Sequence, residues 1–189
     1  MIIGITGTNG SGKDTVAQLM VEKLGWMHLS LSNEVREVAQ ERGVSSTRSN
    51  LISLANDLRK EFGSGYFAKR VLGKVKNSFI ATSIRNPEEV KVFHEFGQFK
   101  LISVDAPIKI RFGRIKNSET RAGAKVGEQW MTFEEFRANE AKEMKGGLYS
   151  QQLAKLIDTA DIKLENNGTI EELEKKVAEL LISLNLSNT

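Results

Sequence analysis

Residues 7–17 read GTNGSGKDTVA. Gly7, Gly12 and Lys13 stand at the fixed places of the pattern G-x-x-x-x-G-K-[S/T], a glycine-rich turn that joins a strand to a helix and cradles phosphate. Glycine lets the backbone bend until several N–H groups point at one anion. The helix start adds partial positive charge, and the lysine reaches the outer phosphates. The flanks fit this reading. MIIGIT (1–6) is an apolar run of strand length, and Val16, Leu19, Met20 and Leu24 recur at helical spacing after the turn. Asn9, Gly10 and Ser11 fill the loop, and Thr15 offers a hydroxyl to the inner phosphates. The expected ligand is ATP with Mg²⁺. The residue after the lysine departs from the pattern: Asp14 replaces the hydroxyl that helps hold Mg²⁺. Two readings stay open. Asp14 holds the metal, directly or through water, or its carboxylate serves the helix start, an effect of about 0.3–1 kcal/mol.

Outward from the loop, short apolar runs alternate with helical patterns. WMHLSL (26–31), SFIAT (78–82), KLISVD (100–105) and DIKLE (161–165) join MIIGIT as strands. Between them lie helices over 33–42, from a cap at Thr47 through Leu51, Leu54, Leu58 and Phe62, and over 63–76. Others start at Pro87, run through Ile108, Phe112 and Ile115, span 131–147 with a cap at Thr132, and align Leu173, Val177, Leu180 and Leu184. Strands separated by helices predict an α/β fold: a three-layer P-loop sandwich with a five-stranded parallel sheet covered on both faces. No repeat or linker divides residues 1–189, so one domain is expected, with a helical acceptor-binding insert at 33–76 and a small polar lid at 117–130.

The 27 Lys and Arg against 24 Asp and Glu leave a formal charge of only +3, which does not argue for a nucleic-acid partner. There is no cysteine, hence no disulfide framework and no thiolate metal site. No run approaches the ~18 apolar residues of a membrane span, and the first residues lack the pattern of a signal peptide. A cytoplasmic monomer or homodimer without a membrane partner is expected.

With its remaining segments the chain resembles the nucleoside monophosphate kinase group of P-loop proteins. GTNGSGKDT looks like the adenylate-kinase loop, which also lacks Ser or Thr directly after its lysine and places Thr one later. HLSLSNEVR (28–36) resembles that group's HxSxGDxxR segment, with matches at Ser30 and Arg36 and with Asn33 in place of the Asp. SIRNPEE (83–89) stands where the group has DGFPR, so Arg36 and Arg85 match its two acceptor-phosphate arginines. VDAPIKIRFGRI (104–115) resembles the strand and helix before the lid, which puts Arg114 on the ATP base. ADIKLENNGTIEEL (160–173) is similar to the last strand and base-side loop of dephospho-CoA kinases, which puts Asn167, Gly168 and Thr169 near the adenine. The group's carboxylate before GFPR is missing, since Ala81 and Thr82 stand there, and Leu31 and Ser32 replace the small polar pair of the adenylate-kinase acceptor pocket.

Phosphoryl transfer needs positioning and positive charge more than covalent chemistry. Arg36 and Arg85 would hold an anionic acceptor, with Arg59 as a third candidate. Lys109, Arg111, Arg114, Lys116, Arg121 and Lys125 form a basic stretch at the lid, of which Arg114 and Arg121 join Lys13 as candidate catalytic groups and the others read as solvated surface. His28, Trp26 and Trp130 read as packing, and Asp105 ends a strand on the ligand side. The implied activity is ATP-dependent phosphoryl transfer to a small nucleotide-type acceptor, first a (deoxy)nucleoside monophosphate. The alternatives are dephospho-CoA kinase-like activity and a non-catalytic ATP-binding regulator. No Asn-Lys-x-Asp guanine signature supports a GTPase switch.

Overall fold

Strand β1 (Ile2–Gly7) alternates its side chains between two buried faces, Ile2 on one and Ile3 and Ile5 on the other. In the computed structural model, which describes residues 1–117 and 132–186, it is the centre of the molecule. It is joined by β2 (Met27–Ser30), β3 (Phe79–Thr82), β4 (Phe99–Asp105) and β5 (Ile162–Glu165) in one parallel sheet of order β2-β3-β1-β4-β5. The helices in chain order are α1 (Lys13–Leu24), α2 (Leu31–Glu41), α3 (Arg48–Phe62), α4 (Tyr66–Leu72), α5 (Pro87–Phe96), α6 (Ile108–Asn117), α7 (Phe133–Met144), α8 (Leu153–Thr159) and α9 (Ile170–Ser183).

One core holds Val16 and Met20 of α1 and Val177 of α9 against Ile3, Ile5, Ile80, Ile102 and Val104. The other packs Val35, Leu58, Phe67, Phe93 and Leu153 against Ile2, Phe79, Phe99 and Leu101. Contact on this second face is close: a Cβ at Gly4 would lie 2.5 Å from the Phe99 ring and 2.6 Å from Ile84. The α/β P-loop architecture expected from the sequence is the one observed.

Register brings Ser30, Thr82, Gly7, Val104 and Glu165 to one rim of the sheet. The chain runs from β1 to β2 on one side, then from β3 across β1 to β4 on the other. Ligands of open parallel sheets bind at the carboxyl ends beside such a reversal. Helix starts follow the capping chemistry. Asn86, Thr132 and Thr169 each form a capping box with the glutamate three residues on, and Thr47 accepts from Asn50 N. Several boundaries differ from expectation, α4 among them, which spans 66–72 within the expected 63–76. Helix α2 starts at Leu31, directly after β2, and α7 spans 133–144 instead of 131–147. Of the expected lid only Asn117 is described, as the last residue of α6; Arg121, Lys125 and Trp130 lie outside the described residues. Among the described residues no helix is long and apolar enough to cross a membrane.

Candidate active site

The turn after β1 is held in its bent form by contacts from three elements. Gly10 and Gly12 adopt φ of 79° and 90°, the left-handed region. A Cβ at Gly10 would lie 2.7 Å from the Arg111 carbonyl oxygen, and one at Gly12 only 2.3 Å from Asn166 Nδ2. Asn166 follows β5 directly, is 6% exposed, and donates from Nδ2 to the Ser11 carbonyl at 2.9 Å. Arg111 of α6 is buried, donates to the carbonyls of Ala106 (2.6 Å) and Asn9 (3.4 Å), and pairs with Glu140 of α7. Arg111 is thus a clamp on the loop, not the solvated surface residue its place in a basic stretch suggests. Thr8 donates to Asp105 Oδ1 at 3.1 Å, which ties the loop to the end of β4.

Lys13 opens α1 and is 8% exposed, with Nζ 3.3 Å from Asp14 Oδ2. Arg114 Nη2 donates to Asn166 Oδ1 (3.4 Å) and to the Gly168 carbonyl (3.5 Å). Ser11 Oγ and Arg114 Nη1 are buried without a hydrogen-bond partner among the described residues. Buried polar atoms are normally satisfied, so both are open valences that the phosphates and the base side of a nucleotide fit. Arg114 and Gly168 therefore meet in the structure. The link between them runs through Asn166, which the sequence reading passed over for its neighbour. Asn167 turns away and donates to Glu165 Oε2 at 3.3 Å.

The end of β3 carries hydroxyls where a carboxylate was missed. His28 Nε2 and Thr82 Oγ1 share a hydrogen bond of 2.8 Å, and Ser30 Oγ donates to Ser83 Oγ at 3.3 Å. Ser83 has φ of 61°, a left-handed conformation that costs a serine about 1–2 kcal/mol. His28 is exposed on the edge strand, so its expected packing role is not the observed one. Partial desolvation of its ring pushes it below its ordinary 6.5 against the upward pull of the Asp14 carboxylate. Asp14 is thus an electrostatic neighbour of the His28–Thr82 pair. Among the described residues no three His, Cys, Asp or Glu side chains converge as a metal cage. Mg²⁺ on a nucleotide needs only one or two protein oxygens beside phosphate and water, and the exposed Asp14 carboxylate beside Lys13 is of the type that fits.

The four acceptor-side candidates have separate surroundings. Ser30 sits at the rim through its bond to Ser83. Arg36 is exposed, donates to Asn33 Oδ1 at 3.0 Å, and lines an open cleft of about 760 Å³ with Glu37, Gln40, Val44 and Ser45. Arg85 donates to Gln151 Oε1 (2.6 Å) and faces Glu143 Oε2 (3.5 Å). Burial pushes its guanidinium below the ordinary arginine value, the nearby Arg48 and Arg59 act in the same direction, and Glu143 opposes them. Arg59, expected beside them as an acceptor ligand, is a core residue instead. It is 3% exposed, pairs with Glu89 at 3.0 Å, and lies 5.2 Å from the centre of the Phe67 ring. Arg48 at the start of α3 pairs with Glu143 and was not singled out from the sequence, because its partner lies 95 residues away.

A family model described as an AAA domain matches residues 6–131, from β1 through the segment before α7. A UPF0200 protein of Hyperthermus butylicus is 32% identical over 97% of this chain and 95% of its own length. One of Thermococcus gammatolerans is 30% identical over 96% and 94%. The shikimate kinase of Bacteroides thetaiotaomicron shares the fold, with a TM-score of 0.61 over 98% of both chains at 16% identity. The likeness in fold extends across the sheet and its helices, and the likeness in sequence extends nearly end to end. The chain belongs to the UPF0200 protein family and carries an AAA domain over residues 6–131.

Proposed function

We propose that this protein transfers the terminal phosphoryl group of ATP to a small nucleotide-type acceptor, first a (deoxy)nucleoside monophosphate. The supporting observation is the loop itself: left-handed glycines, buried Lys13 at the start of α1, and a buried Ser11 hydroxyl with no hydrogen-bond partner among the described residues. Backbone amides and Lys13 would hold the outer phosphates, and Arg114 with Gly168 and Asn166 would bound the base side. Bound Mg²⁺ would neutralise charge on the phosphates; Asp14 is the residue to hold it. Arg121, from the basic stretch at the expected lid, would be a second cation at the moving phosphoryl group. Arg36, Arg85 and Ser30 would receive the acceptor.

Calorimetry with ATP tests the nucleotide half: wild-type protein binds and Lys13→Ala does not, and equal affinity in the two sinks the reading. Detection of ADP across a panel of nucleoside monophosphates and dephospho-CoA tests the transfer half. A second reading, a nucleotide-binding regulator without turnover, is favoured by the hydroxyl end of β3. Tight ATP binding without ADP from any acceptor selects it.

A further inference from the structure

Glu143 of α7 divides its two carboxylate oxygens between two arginines, Oε1 to Arg48 Nη2 and Oε2 to Arg85 Nη1. We propose that Arg48 joins Arg85 in holding a phosphate group of the acceptor, and that Glu143 occupies this subsite in the unliganded chain until that phosphate displaces it. The proposal rests on the kinase reading for the identity of the ligand, but the subsite is defined by its own residues.

The charges around it do not balance. Among the described residues Arg48, Arg59 and Arg85 face Glu89 and Glu143, three positive groups against two negative, and all but Arg48 are largely shielded from solvent. Glu89 is fully committed, since it accepts from Arg59, from Arg85 N and from Asn86 N. The other partner of Arg85 is the neutral Gln151. One carboxylate thus serves two guanidiniums, and the cluster is short of negative charge. A phosphate monoester brings more charge and a third terminal oxygen, and guanidinium forks match it with paired donors.

The site also borders the phosphate loop. Asn9 of the phosphate loop, Arg48, Phe136, Asn139, Glu140 and Glu143 line one cavity. Its free volume is ≈ 10 Å³, about the room of one water, so phosphate enters only as the Glu143 side chain leaves. The Arg48 side chain is 43% exposed and leaves a path from solvent. One turn earlier on α7, Glu140 pairs with Arg111, which donates to the Asn9 carbonyl. The helix therefore sets one carboxylate on the loop clamp and one on the acceptor arginines.

Inorganic phosphate is the probe, titrated by calorimetry into Lys13→Ala protein so that the phosphate loop does not contribute. Phosphate is expected to bind this protein. Adding Glu143→Gln, which keeps the shape and removes the competing charge, tightens binding by about tenfold or more, the scale of one charged hydrogen bond. Adding Arg48→Gln abolishes it. Absence of phosphate binding to Lys13→Ala, or affinity unmoved by Arg48→Gln, overturns the proposal. Equal binding of acetate overturns the preference for phosphate. Should the Glu143 variant fail to fold, the Arg48 arm, on a half-exposed side chain, decides alone. ATP binding to wild-type protein is measured separately. Failure there with the phosphate subsite intact rejects the kinase reading and not the subsite; the converse result rejects the subsite alone.

Discussion

Gly10 carries two constraints at once, a φ of 79° and an Arg111 carbonyl 2.7 Å from where its Cβ would be. The neighbour is backbone and cannot rotate aside. Gly10→Ala should cost about 1–3 kcal/mol, measured by urea unfolding. Because the loop must shift to accept it, ATP binding should be lost as well. Gly12 stands against the Asn166 side chain instead, and this contact shows where sequence reading stops short. The pattern of the last segment placed a polar loop beside the base but chose Asn167 and Gly168. The ladder continues one step past β5, since Asn166 N donates to the Asp105 carbonyl at 2.8 Å. That step turns Asn166 toward Ser11 and Asn167 toward Glu165. A period of two gives the face of a residue inside a strand, not in the turn that ends it.

Helix α5 begins in the segment SIRNPEE, legible as a helix start from Pro87 and from Asn86 with Glu89 three residues later. Its energetic role was not legible, because Arg59 comes from 30 residues upstream. Glu89 is completely buried, and its partner Arg59 is nearly so. Glu89→Gln leaves a buried guanidinium without its counter-charge and should destabilise the protein by about 3–5 kcal/mol, read from denaturant midpoints. The edge between β4 and β5 offers a gentler probe. Asp161 accepts from Leu101 N at 2.8 Å and from Lys100 Nζ at 3.0 Å. Partial burial opposes its ionisation, yet these two donors outweigh it and hold its carboxyl below the ordinary 3.8. A folded value below the unfolded one gives stability that is present above 3.8 and disappears as pH falls through the folded value. Asp161→Asn should therefore cost about 1 kcal/mol at pH 7, and the gap to wild type should close as pH falls through the folded value of the Asp161 carboxyl.

Across the whole molecule, the residues that would meet ATP come from the turn after β1, the start of α1, helix α6 and the residue after β5. Their existence as strands and helices was legible, because apolar runs and helical stripes are local signals. Their side-by-side placement was not, because the order β2-β3-β1-β4-β5 depends on contacts such as Phe99 over Gly4 that no period records. The same reason hides the acceptor side, where Arg48 and Glu143 meet only in the folded chain. A ligand that joins distant segments binds the folded state and not the unfolded one, so stability must rise with its concentration. At a hundred times its dissociation constant ATP should add about 2.7 kcal/mol. For a chain of 189 residues that is a rise in Tm of about 5–10 °C, readable by calorimetric scanning. Lys13→Ala should show no rise at the same ATP concentration, since the amides alone lack the ammonium that reaches the outer phosphates. An equal rise in both proteins would place ATP elsewhere on the molecule, because among the described residues no other part of the sheet rim combines a helix start with left-handed glycines.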